Sequence, residues 1–156
     1  MHLLLCNDDG YQAQGIQVLA QELKNLGHRI TIVAPSGERS GQSHAMSFHV
    51  PVRVKKINQE TYCVDGTPAD CASIGLRKIL CNDKPDFVVS GINLGLNVGT
   101  DVNYSGTVGA ATEAALMGYK AIAVSLDTDS LAPSAPDQKL EALIKAARLV
   151  GNVLEH

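Results

Sequence analysis

Aromatic residues are scarce: the 156-residue chain has two Phe, four Tyr and no Trp. Its interior must therefore be built from aliphatic side chains, and a chain of this length can bury a real core as one domain. No run of Lys or Arg occurs, and 13 basic residues stand against 16 acidic ones, a formal net charge of -3. That weighs against a nucleic-acid polymer as partner, because binding a phosphate backbone needs clustered cations. A small phosphorylated ligand stays open. No stretch approaches the roughly 20 apolar residues of a membrane span. The N-terminal apolar run is too short for a secretion signal, and two aspartates follow it. These absences lead to the expectation of a cytoplasmic protein without a membrane partner. The four cysteines (Cys6, Cys63, Cys71, Cys81) show no C-x-x-C spacing and sit among apolar neighbours. They read as small buried hydrophobes in a reducing compartment.

What is present is an alternation of strand and helix patterns. Residues 2–6, 29–35, 85–91 and 120–126 read as strands, and 48–57 with 60–66 as two further extended segments that could form a hairpin. Residues 15–26 read as a helix with Ile16, Leu19, Ala20 and Leu23 on one face and Gly27 as its stop. Residues 67–80 open with Thr67 as N-cap, Pro68 at the first helical position and Asp70 at the third. Further helices are expected over 107–118 and 138–150, with a Pro/Ser/Asp linker over 127–137. The pattern predicts an α/β fold: a doubly wound, mostly parallel sheet with helices on both faces, Rossmann-like. Ligands in such folds bind beyond the carboxyl ends of the strands.

Four segments follow predicted strand ends: "NDDG" (7–10), "SGERSGQS" (36–43), "SGINLGLNVGTDVNYSGT" (90–107) and "SLDTD" (125–129). Asp8 and Asp9 are the sharpest feature. Adjacent carboxylates repel, and partial burial makes that worse. A metal ion, a cationic substrate or plain water at an exposed turn could offset it. Successive side chains of an extended strand point to opposite faces, so both aspartates serve one ion only if the chain turns there, and Gly10 permits a turn. The plainer alternative makes Asp8 the cap of the following helix. The 90–107 loop is long and rich in Asn, Ser and Gly, and "YSGT" opens a helix whose free N–H groups suit an anion. A simple N-cap at Ser105 or Thr107 is the plainer alternative there. The glycine spacing matches neither G-x-G-x-x-G nor G-x-x-x-x-G-K-[ST]. "RSGQS" adds Arg39, Ser40 and Ser43. Together the three loops read as an oxygen-rich site for Mg²⁺ or Mn²⁺ beside an anion pocket, a poor match to structural zinc. His44 is a candidate proton carrier, with a hydrogen-bonded loop histidine as the plainer reading. Glu113, on a helix of small residues, reads as exposed or locally paired.

The pieces "LLLCNDDG", "GIQVLAQEL", "IVAPSGERSGQS", "DGTPADC", "VVSGINLGLNVGTDVNYSGTVGAATEAALMG" and "AIAVSL" run in order from residue 3 to 126. Together they closely resemble the SurE family of stationary-phase survival proteins. The resemblance implies a metal-dependent 5'-nucleotidase that hydrolyses nucleoside monophosphates, and some members also accept 3'-nucleotides or short polyphosphate. It implies one divalent ion per subunit, Mg²⁺ or Mn²⁺, held by Asp8, Asp9, Ser40 and Asn93, with Asp8 and Asp9 at the catalytic centre. Asn97, Ser105, Gly106 and Thr107 fall in the segment resembling the family's phosphate-facing loop. The implied ion would draw electron density from the phosphoryl oxygens and orient or acidify an attacking water. Family chains continue further and form homodimers or tetramers, so residues 1–156 are expected to be one SurE-like domain lacking a C-terminal dimerisation segment. Leu154–His156 reads as native sequence or as a vector scar. The alternative function is a nucleotide- and metal-binding core without turnover. A receiver-type signalling domain needs an aspartate and a lysine that "VVSGIN" and "AVSLD" do not supply, and a haloacid-dehalogenase-like site spaces its aspartates by one residue.

Overall fold

The structure, a computed structural model, describes residues 1–128 and 136–155. Most of the linker expected over 127–137, the last residue of "SLDTD" and the terminal His156 lie outside the described residues. Six strands form one sheet: β1 (His2–Cys6), β2 (Arg29–Pro35), β3 (Val54–Lys56), β4 (Thr61–Val64), β5 (Phe87–Leu94) and β6 (Ala121–Leu126). Their order is β3-β4-β2-β1-β5-β6, and every neighbouring pair is parallel except β3 with β4. The helices are α1 (Gln14–Asn25), α2 (Pro68–Ile74), α3 (Gly106–Leu116) and α4 (Pro136–Leu154). This is the expected α/β architecture. The chain leaves β1 toward β2 on one side and returns to place β5 on the other, so a crevice opens at the carboxyl end of β1.

Strand β1 shows why the core has two halves. Leu3 and Leu5 point to one face, where α1 and α4 bring Ile16, Leu19, Leu23, Leu143 and Ala147. Leu4 and Cys6 point to the other, where α2, the turn that follows it and α3 bring Cys71, Ala72, Leu76, Ala110 and Ala114. Leu3, Leu4 and Leu5 are wholly buried, each contributing about 2 kcal/mol by its removal from water. Among the described residues no helix is long and apolar enough to cross a membrane.

Four expectations need amendment. The 48–57 segment joins the sheet only over Val54–Lys56, paired with Tyr62–Val64. Pro51, with no N–H to donate, stands in the part that leaves the ladder. The helix expected over 67–80 is α-helical to Ile74 and then widens into a π-type turn over Gly75–Ile79, with the Leu80 N–H donating to the Gly75 carbonyl at 2.8 Å. Strand β5 runs past residue 91 to Leu94. Its register against β6 shifts between Ser90 and Asn93. The bend there needs glycine: Gly91 has φ +133°, and a Cβ on it would lie 2.4 Å from the Val124 carbonyl oxygen. The cysteines divide. All are free, with Cys6 and Cys71 buried as expected, but Cys63 is only half-buried and Cys81 is exposed. Burial pushes the Cys6 thiol up to about 12.

Helix α2 begins in a complete capping box. The Thr67 hydroxyl accepts from the Asp70 N–H at 3.1 Å, and the Asp70 carboxylate accepts from the Thr67 N–H at 2.9 Å. The same carboxylate accepts from the Ser47 N–H at 3.0 Å and the Ser47 hydroxyl at 2.7 Å. Burial raises the Asp70 pKa, but these hydrogen bonds outweigh it and hold the carboxyl below its ordinary value. A depressed folded pKa gives stability that is present above the unfolded value and lost as pH falls through the folded one. Asp70→Ala should therefore cost about 2 kcal/mol at pH 7, with a smaller deficit at pH 2–3. Urea unfolding at the two pH values measures it, and an equal deficit at both would contradict the role of the charge.

Candidate active site

The turn after β1 is built by Asn7. Its buried side-chain amide donates to the Gly10 carbonyl at 2.9 Å and accepts from the Gly10 N–H at 3.2 Å. Gly10 takes φ +103°, and a Cβ there would meet the Gly37 backbone at 3.0 Å. The clamp bends the chain at the two aspartates. Asp8 is only 4% exposed and Asp9 half-buried. Asp8 does not cap α1: that helix has Ala13 at its N-cap position and no side-chain capping bond. Instead an Asp8 carboxylate oxygen accepts from the Thr107 hydroxyl at 2.5 Å. Gly106 packs beside it, where a Cβ would lie 2.9 Å from the Asp8 Cβ. The Arg39 N–H donates to the Asp8 carbonyl at 2.7 Å.

Three of the segments singled out by sequence thus meet at one point: 7–10, 36–43 and the start of α3. Asp8, Gly106 and Thr107 are brought together directly, and Asp9 follows Asp8 in the chain with Glu38 near it. Asn97 and Ser105 form a second group. The Asn97 side-chain oxygen accepts from the hydroxyls of Ser105 at 2.9 Å and Ser125 at 2.8 Å. Ser105 is the N-cap of α3, its hydroxyl accepting from the Val108 N–H at 3.2 Å. Ser40 and Asn93 are engaged within their own segments. The Ser40 hydroxyl donates to a Glu38 carboxylate oxygen at 2.9 Å, and the Asn93 amide donates to the Gly95 carbonyl at 2.7 Å. Asn93 stands on β5 opposite Ser125 and not in the following loop. Among the described residues no cluster of three His, Cys, Asp or Glu side chains poised for a metal occurs, so any ion here would rest on the aspartate pair and uncharged oxygens.

A model of the family described as "Survival protein SurE" matches residues 3–156. The chain belongs to the SurE family. Among curated members it is 48% identical over 154 residues to "5'-nucleotidase SurE" of Pelobacter propionicus, covering 99% of this chain and 62% of that protein. It is 47% identical over 155 residues to the protein of the same name from Geobacter metallireducens, covering 99% and 59%. The crystal structure of the SurE protein from Aquifex aeolicus superposes with a TM-score of 0.86 at 39% identity, over 99% of this chain and 59% of that one. The chain therefore spans about three fifths of the length of these SurE relatives.

The SurE turn carries an unresolved charge. One oxygen of the Asp9 carboxylate, Oδ2, is sealed from solvent without a hydrogen-bond partner. Burial, then the neighbouring Asp8 and Glu38 carboxylates, push the Asp9 pKa up to about 6, with Lys139 opposing. Such an atom is what a bound cation would satisfy, and the donor set of carboxylate, hydroxyl and amide oxygens suits a hard divalent ion. Glu38 was missed by sequence reasoning, although it stands two residues before Ser40 in the same motif. Ser125, at the start of "SLDTD", gave no signal that it would bind Asn97. Glu113 corrects the expectation: it is buried, and its partner is distant, the His44 Nε2 at 2.9 Å. That bond engages His44 with α3, the plainer of its two readings.

The raised Asp9 pKa sets a pH dependence. Below about pH 4 the carboxyl is neutral in both folded and unfolded chains. Between about 4 and 6 the unfolded chain ionises first, so the fold loses stability as pH rises, and the loss levels off above the folded value near 6. In EDTA, Asp9→Asn should stabilise the protein above pH 6 by about 1 kcal/mol, a figure that allows for solvent screening on its exposed side. The gain should vanish at pH 4. Denaturant melts at both pH values test this, and an Asp9→Asn protein less stable than wild type at pH 7 would refute it.

Proposed function

We propose that this chain carries the active site of a metal-dependent phosphomonoesterase that hydrolyses nucleoside monophosphates, a 5'-nucleotidase, with residues 1–156 acting as one α/β unit. The observation that carries the reading is the unpartnered buried oxygen of Asp9, next in the chain to Asp8, whose own carboxylate lies against Gly106 and Thr107 at the N-terminus of α3. Asp8 and Asp9 would hold the ion through their carboxylates, with oxygens of Ser40 and Asn93 completing the set. When bound, Mg²⁺ or Mn²⁺ withdraws electron density from the phosphoryl oxygens and lowers the pKa of water beside phosphorus.

The remaining work falls to the chain itself. The Ser105 hydroxyl occupies the Val108 N–H, and the Ser105 carbonyl accepts from the Gly109 N–H at 3.0 Å. The Gly106 and Thr107 amides have no acceptor within the helix, as at any helix start. They would hold phosphoryl oxygens, aided by the positive end of the helix dipole. Asn97, its oxygen occupied by two hydroxyls, has its NH₂ turned to donor work and would offer it to the same group. Donors fixed in advance stabilise charge as it shifts from the ester to the leaving oxygen. The named activity of the SurE relatives supports 5'-monophosphates as substrate; 3'-nucleotides and short polyphosphate are secondary candidates. A homodimer or tetramer is proposed for the longer family chains, and a cytoplasmic location for the protein.

Phosphate release from a panel of nucleoside monophosphates, with EDTA, Mg²⁺ or Mn²⁺, tests the proposal. Metal-dependent release that falls by about 100-fold or more in Asp8→Asn is the expected result. Mn²⁺ binding without release would overturn it in favour of a binding core without turnover. Asn93→Ala should weaken Mn²⁺ binding in calorimetry while its circular dichroism stays that of wild type; loss of the folded spectrum would show a structural role instead.

A further inference from the structure

The Ser40-bearing segment between β2 and β3 has little regular structure, yet it is tied down at its far end. The Ser43 N–H donates to the Tyr104 carbonyl at 2.9 Å and the Ser43 hydroxyl to the Asn103 carbonyl at 2.6 Å. Ser43 has φ +54°, a left-handed conformation that a non-glycine residue holds only under outside constraint. Its carbonyl oxygen lies so near α3 that a Cβ on Gly109 would fall 2.2 Å from it. The next residue, His44, reaches Glu113 one turn further along α3. The Glu113 carboxylate is buried, and among the described residues His44 is the one side chain bonded to it. Beyond that point the Thr67 hydroxyl donates to the Ala45 carbonyl at 2.7 Å, and Ser47 is held by Asp70. At the near end, the Arg39 N–H is bonded to the Asp8 carbonyl.

We propose that His44 is a positioning residue of the active site: its hydrogen bond to the buried Glu113 sets the register of the 36–47 segment against α3, and so the placement of Ser40 and the Arg39 amide beside Asp8. The inference rests on the nucleotidase reading for its kinetic consequence, but not for its geometric one. Ser40 has a short side chain on an irregular segment. Its position follows from where the segment is fixed, and of the two contacts that tie the segment to a buried carboxylate, His44–Glu113 and Ser47–Asp70, the first is nearer to Ser40 in the chain. A carboxylate sealed in the protein strongly disfavours losing its partner, so this contact tolerates little drift. The same helix offers its first amides at one end and Glu113 two turns on, so a segment registered on Glu113 is registered on the phosphate-facing end as well.

The test uses His44→Ala, His44→Gln and Glu113→Gln in the full chain. Glutamine at 113 keeps an acceptor without the charge, and glutamine at 44 keeps a donor, so both should restore what alanine removes. For His44→Ala, kcat on a nucleoside monophosphate should fall between about 10- and 100-fold, the scale of a small misplacement of a reacting group. KM should change much less. Exchange of the Arg39 amide, followed by NMR, should accelerate by about tenfold or more. Glu113→Gln should stay near wild type in both. If His44→Ala fails to fold, His44→Gln and Glu113→Gln still decide: near-wild-type kinetics and exchange support positioning, and a loss as great as a catalytic residue's overturns it. Unchanged kcat and unchanged Arg39 exchange in a folded His44→Ala also overturn it. If the wild-type chain releases no phosphate, the nucleotidase reading fails, and the Arg39 exchange alone decides the positioning proposal.

Discussion

Two carboxylates on adjacent residues must be kept from repelling the turn apart, and much of this structure follows from how that is done. Asn7 closes the turn through its own backbone-directed bonds, and Gly10 lets the chain reverse. Asp8 accepts a hydrogen bond from the Thr107 hydroxyl and lies against the N-terminus of α3, where the helix dipole favours a carboxylate. Asp9 receives no such relief. One of its oxygens is buried and unpaired, and its proton is held to about pH 6 by burial and by Asp8 and Glu38. The fold thus retains an unfavourable local arrangement whose natural remedy is a divalent cation. Strain of this kind, surrounded by well-satisfied structure, is typical of a working site.

Close backbone approach makes the arrangement geometrically available. Helix α3 is built of small residues, and at two places the absence of a side chain brings a neighbour against it: Asp8 at Gly106 and the Ser43 carbonyl at Gly109. A bulkier helix would stand off from both and separate the aspartates from the first helical amides. The two faces of the sheet share this work unevenly. Helices α1 and α4 cover one face with long aliphatic side chains, whereas α2 and α3 cover the other with alanine, cysteine and glycine and sit close enough to contribute to the site.

The fold was largely legible because its signals are local. Four strands, the β3–β4 hairpin and all four helices stand where apolar runs, capping residues and turn residues placed them. The capping box of Thr67 and Asp70 was readable to the residue. The length of β5 was not, since Asn93 continues the strand only because Gly91 lets the chain slip register against β6. Convergence of the NDDG turn, the RSGQS segment and the YSGT helix start was legible once a parallel sheet was inferred, because all three follow strand ends. The bonds inside that convergence were not, and Ser40 and Asn93 are held in their own segments by contacts that no spacing rule announces.

By itself, the sequence determined the element types, the sheet class, the turn at two aspartates and membership of the SurE family through motifs in unbroken order. Those depend on periodicity, caps and glycines, which act over a few residues. Only the tertiary structure decided that Asp8 pairs with Thr107, that Glu38 burdens Asp9, and that Glu113 is buried against His44, 69 residues away. Such partners lie far apart in the chain, and nothing local to a glutamate on a helix of small residues says whether it faces water or a histidine. That is settled when the helix packs, because packing decides which side chains lose water and must find a partner instead.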